Sequence, residues 1–441
     1  MDAKGKKATA ISLFTFNSPH MRVFHMSWMA FFLCFFGWFG IAPLMAIVRE
    51  ELMLTKSQIG NIIISSVAIT VFARLFIGWL CDRIGPRITY TYLLILGSIP
   101  VILIGLSNSY ETFLFFRLAI GAIGAAFVVT QYHTSVMFAP NVVGTANATT
   151  AGWGNLGGGV TQMVMPLIFA GFVSLGFLEK DAWRYAMIIP GLAMIICGIF
   201  YYKLTVDFPN GNMVAMEKSA KQKQDSRKNF RKIIKDPRVW SLFLIYGACF
   251  GVELTINNIA AIYYHDFFKL DLKTAGIIAG LFGLMNLFAR SMGGYFGDKA
   301  GLKWGLKGRV ALLGGVLFLE GISLMLFSRM TALPLAIGTM VVFSLFVQMA
   351  EGATFSVVPF VNKKAIGIVS GIVGAGGNAG AVLAGFLFKM ENISYADGLG
   401  ILGIAVVCIS MSSMAVRFSK ADEKAAETEL QESLNVSVQP V

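Results

Sequence analysis

Apolar residues run through this chain in long blocks, not in the alternation of period two that marks half-buried strands. Windows of about 20 apolar residues recur along its whole length, each closed by a short polar turn and each long enough to cross a hydrocarbon layer of ~30 Å. Six lie near 24–48, 57–80, 88–106, 112–138, 144–175 and 183–205. Six more lie near 239–265, 272–297, 308–328, 332–361, 365–390 and 396–417. The pattern predicts an all-α integral membrane protein with 12 transmembrane helices. A spanning barrel would need short alternating segments, which are absent. The long fifth window fits a tilted helix that runs on past the membrane.

The polar interval 206–238 (VDFPNGN…EKSAKQKQDSRKNFRKIIKDPR) divides the windows six and six. The expected organisation is a tail at 1–23, a six-helix bundle at 24–205, a basic linker at 206–238, a second six-helix bundle at 239–417 and a tail at 418–441. Composition agrees with this. Of the 441 residues 56% are hydrophobic and 14% charged, and the mean hydropathy is +0.70, more apolar surface than a soluble domain can hide.

A net charge of +12 raises the question of nucleic acid, which the placement of the charges answers. Of the 36 lysines and arginines, 25 fall in the tails, the linker and the loops that share their side, 8 on the opposite side and 3 inside windows. The positive-inside rule then puts both termini in the cytoplasm, in a plasma membrane or bacterial inner membrane. Topology accounts for the basic balance, the linker touches anionic lipid, and no nucleic-acid partner is implied. Residues 1–25 are polar and basic, so no cleavable signal peptide is expected. The five cysteines (Cys34, Cys81, Cys197, Cys249, Cys408) are dispersed and the four histidines lack ligand spacing, so neither a disulfide framework nor a metal site is suggested. Without a metal-ligand pair, a nucleophile motif or a phosphate loop, an enzyme is the least favoured class and no cofactor is implied.

Two internal repeats carry the functional signal. Residues 74–87 (RLFIGWLCDRIGPR) align without gaps on 290–303 (RSMGGYFGDKAGLK), matching Gly78 with Gly294, Asp82 with Asp298, Arg83 with Lys299 and Arg87 with Lys303. A second pair sets GNLG at 154–157 against GNAG at 377–380. Two halves built on one pattern are common in transporters. The G-x-x-x-D-[RK]-x-G-x-[RK] element resembles the loop signature of the major facilitator superfamily. That resemblance implies its fold, two six-helix halves related by a pseudo-two-fold axis, and a gating role for these eight residues on the cytoplasmic side.

Arg74 and Arg290 differ in kind from the loop residues. Each precedes its aspartate by eight residues, about 12 Å along a helix, and so lies toward the bilayer middle. An arginine there costs at least ~2.5 kcal/mol and should face a cavity and meet an anion. A structural ion pair is the alternative, but buried acids look too few and too asymmetrically placed to serve both arginines. Asn155 and Asn378 reach a similar depth inside AGWGNLGGG and GAGGNAGAVLAG. Glycines there bare the helix face for close packing, which leaves the costly asparagines unexplained.

The tandem G-x-G-N-x-G-G and G-x-G-G-N-x-G segments, with the two arginines, resemble the nitrate/nitrite porter family over nearly the whole chain. Within it the chain is most similar to high-affinity nitrate transporters. The resemblance implies that Arg74 and Arg290 grip the substrate anion, planar forks suiting a flat oxyanion. It also implies aromatic walls at Phe127, Tyr246 and Phe250, a hydrogen bond from Asn155, and a place beside these for Asn378, Gly154 and Gly377. Accumulating an anion against a negative-inside potential costs ~2.3 kcal/mol per 100 mV, so uptake needs proton symport or exchange for nitrite. Glu351 is the first proton-carrier candidate, Glu253 the second, and Glu320 also lies within a window. Arg117 in RLAIGAIG resembles the superfamily's fourth-span motif and is either structural, pairing with one of these acids, or part of a proton relay. His133 reads as a satisfied polar residue. The expected function is nitrate and nitrite import by alternating access, as a monomer; exchange on the same scaffold, transport of another small anion and a non-transporting nitrate receptor are the alternatives.

Overall fold

The polar turns between apolar windows are where the helices start. Ser18 accepts from Met21 N ahead of Pro19, Asp236 from Arg238 N ahead of Pro237, and Asp271 from Thr274 N. Thr55 with Gln58, and Ser109 with Thr112, form reciprocal capping boxes. Each side chain satisfies donors that a helix cannot satisfy internally, so the turn chemistry sets where these spans begin.

The computed structural model describes residues 7–139, 142–212, 233–362 and 366–437, and these are helical almost throughout. Most of the 206–238 linker, and Lys363 and Lys364, lie outside the described residues. The first half comprises α1 (Pro19–Glu51), α2 (Lys56–Ile84), α3 (Pro86–Leu106), α4 (Tyr110–Met137), α5 (Val143–Ser174) and α6 (Glu179–Leu204). In the second, α7 (Pro237–Phe268) precedes one apolar helical stretch, Leu272–Ser328, of 57 residues. At 1.5 Å per residue that stretch would be about 85 Å long, far beyond one crossing. It breaks at Trp304 and Gly305, where φ turns to −132° and then +64°, a conformation glycine tolerates. The stretch is therefore two helices, α8 (272–304) and α9 (305–328). With α10 (Leu333–Phe360), α11 (Ile366–Lys389) and α12 (Tyr395–Ala415) the number of spans is twelve. A polar helix, α13 (Lys420–Ser437), follows, and its Glu423 accepts from Leu306 N just past the break, at 2.9 Å.

Packing repeats between the halves. In the first, α1 lies on α5, α2 on α4 and α3 on α6; in the second, α7 lies on α11, α8 on α10 and α9 on α12. The halves meet along α2–α11 and α5–α8, the helices that carry the repeated motifs. Glycine makes the closest approaches possible. A Cβ on Gly159 of α5 would sit 2.5 Å from the Gly283 Cα of α8, and one on Gly380 would sit 2.1 Å from the Gly247 carbonyl oxygen. Side chains such as Leu75, Phe76, Leu96, Ile196 and Leu383 stand exposed, as a lipid-facing belt requires.

On the side away from the termini, polar contacts join the halves. Arg49 at the end of α1 pairs with Asp266 at the end of α7, at 2.9 Å. Lys56 at the start of α2 donates to the carbonyls of Met390 and Ile393, at 3.0 and 2.6 Å, beyond α11.

Candidate substrate site

The two repeated arginines converge on one ring. The guanidinium carbons of Arg74 and Arg290 lie 5.1 and 5.9 Å from the centroid of Phe127, and Arg74 is also 5.4 Å from that of Phe250. Tyr246 and Phe250, one turn apart on α7, stack at 5.1 Å and 10°. Both arginines are buried, 3% and 1% exposed, at the depth that helix spacing gives.

Their partners differ. Arg74 is held by neutral groups of α11: Nη1 donates to Gly374 O at 2.6 Å, and Asn378, with its amide oxygen turned inward, accepts from Nε and Nη1 at 3.2 and 2.9 Å. No carboxylate among the described residues lies within ion-pair distance of Arg74, and its Nη2 has no partner. Arg290 donates from Nη2 to the Tyr246 hydroxyl at 2.9 Å and from Nη1 to Glu351. Glu253 Oε2 is 3.9 Å from the same Nη1. The buried acids thus serve one arginine and not both: the structural ion pair set aside as the alternative is present at Arg290 and absent at Arg74. The reason is local: α10 approaches α8 so closely that a Cβ on Gly352 would meet Arg290 O at 2.0 Å, which brings Glu351 across.

Asn155 meets neither arginine. Its Nδ2 donates to Glu253 Oε2 at 2.9 Å, and Asn286 donates to Glu253 Oε1 at 2.8 Å. A buried carboxylate needs such donors, since an unpaired buried charge is very costly. Gly154 and Gly377 each meet a ring. A Cβ on Gly154 would be 2.0 Å from Phe31 Cδ1, and one on Gly377 would be 2.4 Å from Phe250 Cδ1. These glycines admit the aromatic wall.

Phe355 completes that wall, with its ring 5.5 Å from Phe127 and 5.1 Å from Tyr246, edge-on to both. Neither it nor Asn286 was anticipated. Each is four residues from a residue that was, Glu351 and Arg290 respectively, and i,i+4 spacing puts such pairs on one helix face.

The remaining candidates lie apart. None of the three buried glutamates pairs with Arg117, which donates to Trp38 O at 2.7 Å and reaches Asn258 Oδ1 at 3.5 Å. Glu320 is buried with both oxygens unpartnered. His133 is satisfied by the Tyr201 hydroxyl at 2.6 Å and Val206 O at 2.7 Å. In the loop signature, Asp298 pairs with Arg309 at 2.6 Å, joining α8 to α9, and Arg87 binds Tyr202 O and Asp207, joining α3 to the end of α6. Arg83, Lys299 and Lys303 each lie over a neighbouring aromatic ring, of Trp79, Tyr295 and Trp304. Gly78 and Gly294 leave room beside Val128 and Ala148. The side chain of Asp82 lies outside the described residues.

The sequence profile of the Major Facilitator Superfamily matches residues 27–385. Among curated proteins, "High affinity nitrate transporter 2.5" of Arabidopsis thaliana is 42% identical over 420 residues, covering 95% of this chain and 84% of that protein. "Nitrate/nitrite transporter NrtP" of Picosynechococcus is 30% identical over 478 residues, covering 88% of each. The chain belongs to the nitrate/nitrite porter family. This porter is thus a multi-pass membrane transporter and not an enzyme. Its fold is also that of a solved bacterial homologue of the human lysosomal transporter Spinster, inward-facing and unoccupied, with TM-score 0.66, 16% identity and coverage of 95% of this chain and 98% of that one. The human organic anion transporter MFSD10 matches with TM-score 0.61, 13% identity and coverage of 90% and 100%.

Proposed function

We propose that the protein imports nitrate, and nitrite with it, across a plasma membrane by alternating access coupled to proton symport. It works as a monomer with both termini in the cytoplasm, so that the Arg49–Asp266 side faces outward. Nitrate lies between Arg74 and Arg290 and against Phe127, Phe250, Tyr246 and Phe355. Its planar oxygens take the donors that guanidinium forks present in parallel. The apolar rings exclude water and so favour a weakly hydrated anion.

One observation carries the coupling: Arg290 Nη1 is already engaged by Glu351, with Glu253 beside it. An anion that takes this donor must displace a carboxylate, and a carboxylate displaced from the one cation that pairs with it among the described residues is strongly disfavoured while charged. Protonating Glu351 removes the competitor and lets Arg290 turn to the substrate. On the inner side, loss of nitrate lets Arg290 reclaim the carboxylate and expel the proton. Glu253, held by Asn155 and Asn286, keeps the empty site from carrying two uncompensated charges.

The test is nitrate uptake into proteoliposomes with the internal pH recorded. Nitrate-driven acidification is expected, and Glu351→Gln should still exchange nitrate across the membrane while losing accumulation driven by a pH gradient. Uptake that requires internal nitrite and moves no protons would replace symport with exchange.

A further inference from the structure

The Arg74–Arg290 site leaves the buried cation Arg117 unused. Arg117 is 1% exposed, has no carboxylate within ion-pair distance among the described residues, and its Nε is without a partner. It lies on α4 ten residues before Phe127, about 15 Å along the helix and toward the side of the Arg49–Asp266 contact. Asn258 faces it from α7, two turns beyond Phe250. The Asn258 amide donates to Leu254 O at 2.7 Å, which turns its oxygen to Arg117 across the boundary between the halves. Next to it, Asn257 Nδ2 and Gln162 Oε1 are buried and unpartnered, while Gln162 Nε2 donates to Asn257 O at 2.6 Å. A polar seam therefore leads outward from Asn155 and Glu253 along α5 and α7 and ends at an uncompensated positive charge.

A positive charge at that depth is retained at a considerable cost in stability unless an anion meets it in some state of the protein. We propose that Arg117 and Asn258 form a second anion position, an outer staging site that takes a small oxyanion from outside before it reaches Arg74 and Arg290. When the halves part on the outer side, Asn258 leaves Arg117 and the guanidinium opens to the vestibule. It keeps its hold on Trp38 O and offers Nη2 and Nε to the arriving anion. When they close, Asn258 returns and the anion is passed inward to the deeper pair. The proposal rests on the anion-transport reading, and its test reads sidedness, which that reading does not.

Nitrate transport is measured from each face in oriented proteoliposomes, with wild-type uptake as the control for the function itself. Focusing of anions by charge raises encounter rates by 10-fold or more, so Arg117→Gln should raise half-saturation from the outer face by about tenfold and leave that from the inner face within about twofold. Asn258→Asp keeps the arginine and gives it a carboxylate. It should produce the same one-sided rise in a protein whose packing around Arg117 is intact. Equal changes from both faces, or an unchanged outer half-saturation in Asn258→Asp, would overturn the staging site whatever becomes of the arginine variant.

Discussion

At the scale of single residues, the site depends on arginine forks held in two different ways. Arg74 is fixed by the carbonyl of Gly374 and the amide of Asn378, and an ammonium in its place would keep the charge but lose the planar set of donors. Hydrogen bonds to charged groups contribute about 1.5–3 kcal/mol, so Arg74→Lys should weaken half-saturation for nitrate uptake by roughly ten- to a hundredfold. Normal uptake by the lysine variant would refute the paired-fork site. The depth of Arg74 and Arg290 was legible from helix rise, and the shared face of Tyr246 and Phe250 from their one-turn spacing, while their place in the site came from the family resemblance. The contact between Arg290 and Glu351 was not, since it depends on how closely α10 approaches α8, and nothing in the spacing of α8 reports that. The same limit hid the contact of Asn155 with a carboxylate on α7.

At the scale of elements, hydropathy found every span and separated 272–297 from 308–328, but it did not show how the chain turns between them. The break there is made by Gly305 in a left-handed conformation, with Leu306 N satisfied by Glu423 from α13, a residue more than a hundred positions on. The glycine-rich helices were legible as packing surfaces, and the structure adds which neighbour each one admits. Gly159 of α5 faces Gly283 of α8 at the seam between the halves. Gly159→Ala should lower stability by about 1–3 kcal/mol, since overpacking of a close contact forces backbone shifts. Thermal unfolding in detergent reads that loss. An alanine at Gly315, which has open space around it, should change the melting temperature little.

At the scale of the whole molecule, the face away from the termini, the outer one in the proposed orientation, is held by Arg49–Asp266 and by Lys56 on the carbonyls beyond α11. Both contacts join one half to the other, so each favours the arrangement closed on that face. Arg49 and Asp266 are partly exposed, and such a pair contributes at most about 1 kcal/mol, a fivefold shift in population. Arg49→Ala should raise the labelling rate of a cysteine introduced at Asn258 by up to about that factor, and the reversed pair Arg49→Asp with Asp266→Arg should restore the level of the Asn258→Cys parent. If the single variant labels no faster than the parent, closure rests on the rest of the interface. The relation between the two halves was visible in the repeated motifs, whereas the closure of the face away from the termini is a property of packed helices and leaves no mark in a single sequence. The Gly159–Gly283 seam carries a consequence at the level of the gene. No residue is smaller than glycine, so every missense change in either codon adds atoms where two backbones touch. Substitution there can move in one direction only, and the chemically plainest positions in the protein become its least forgiving ones under mutation.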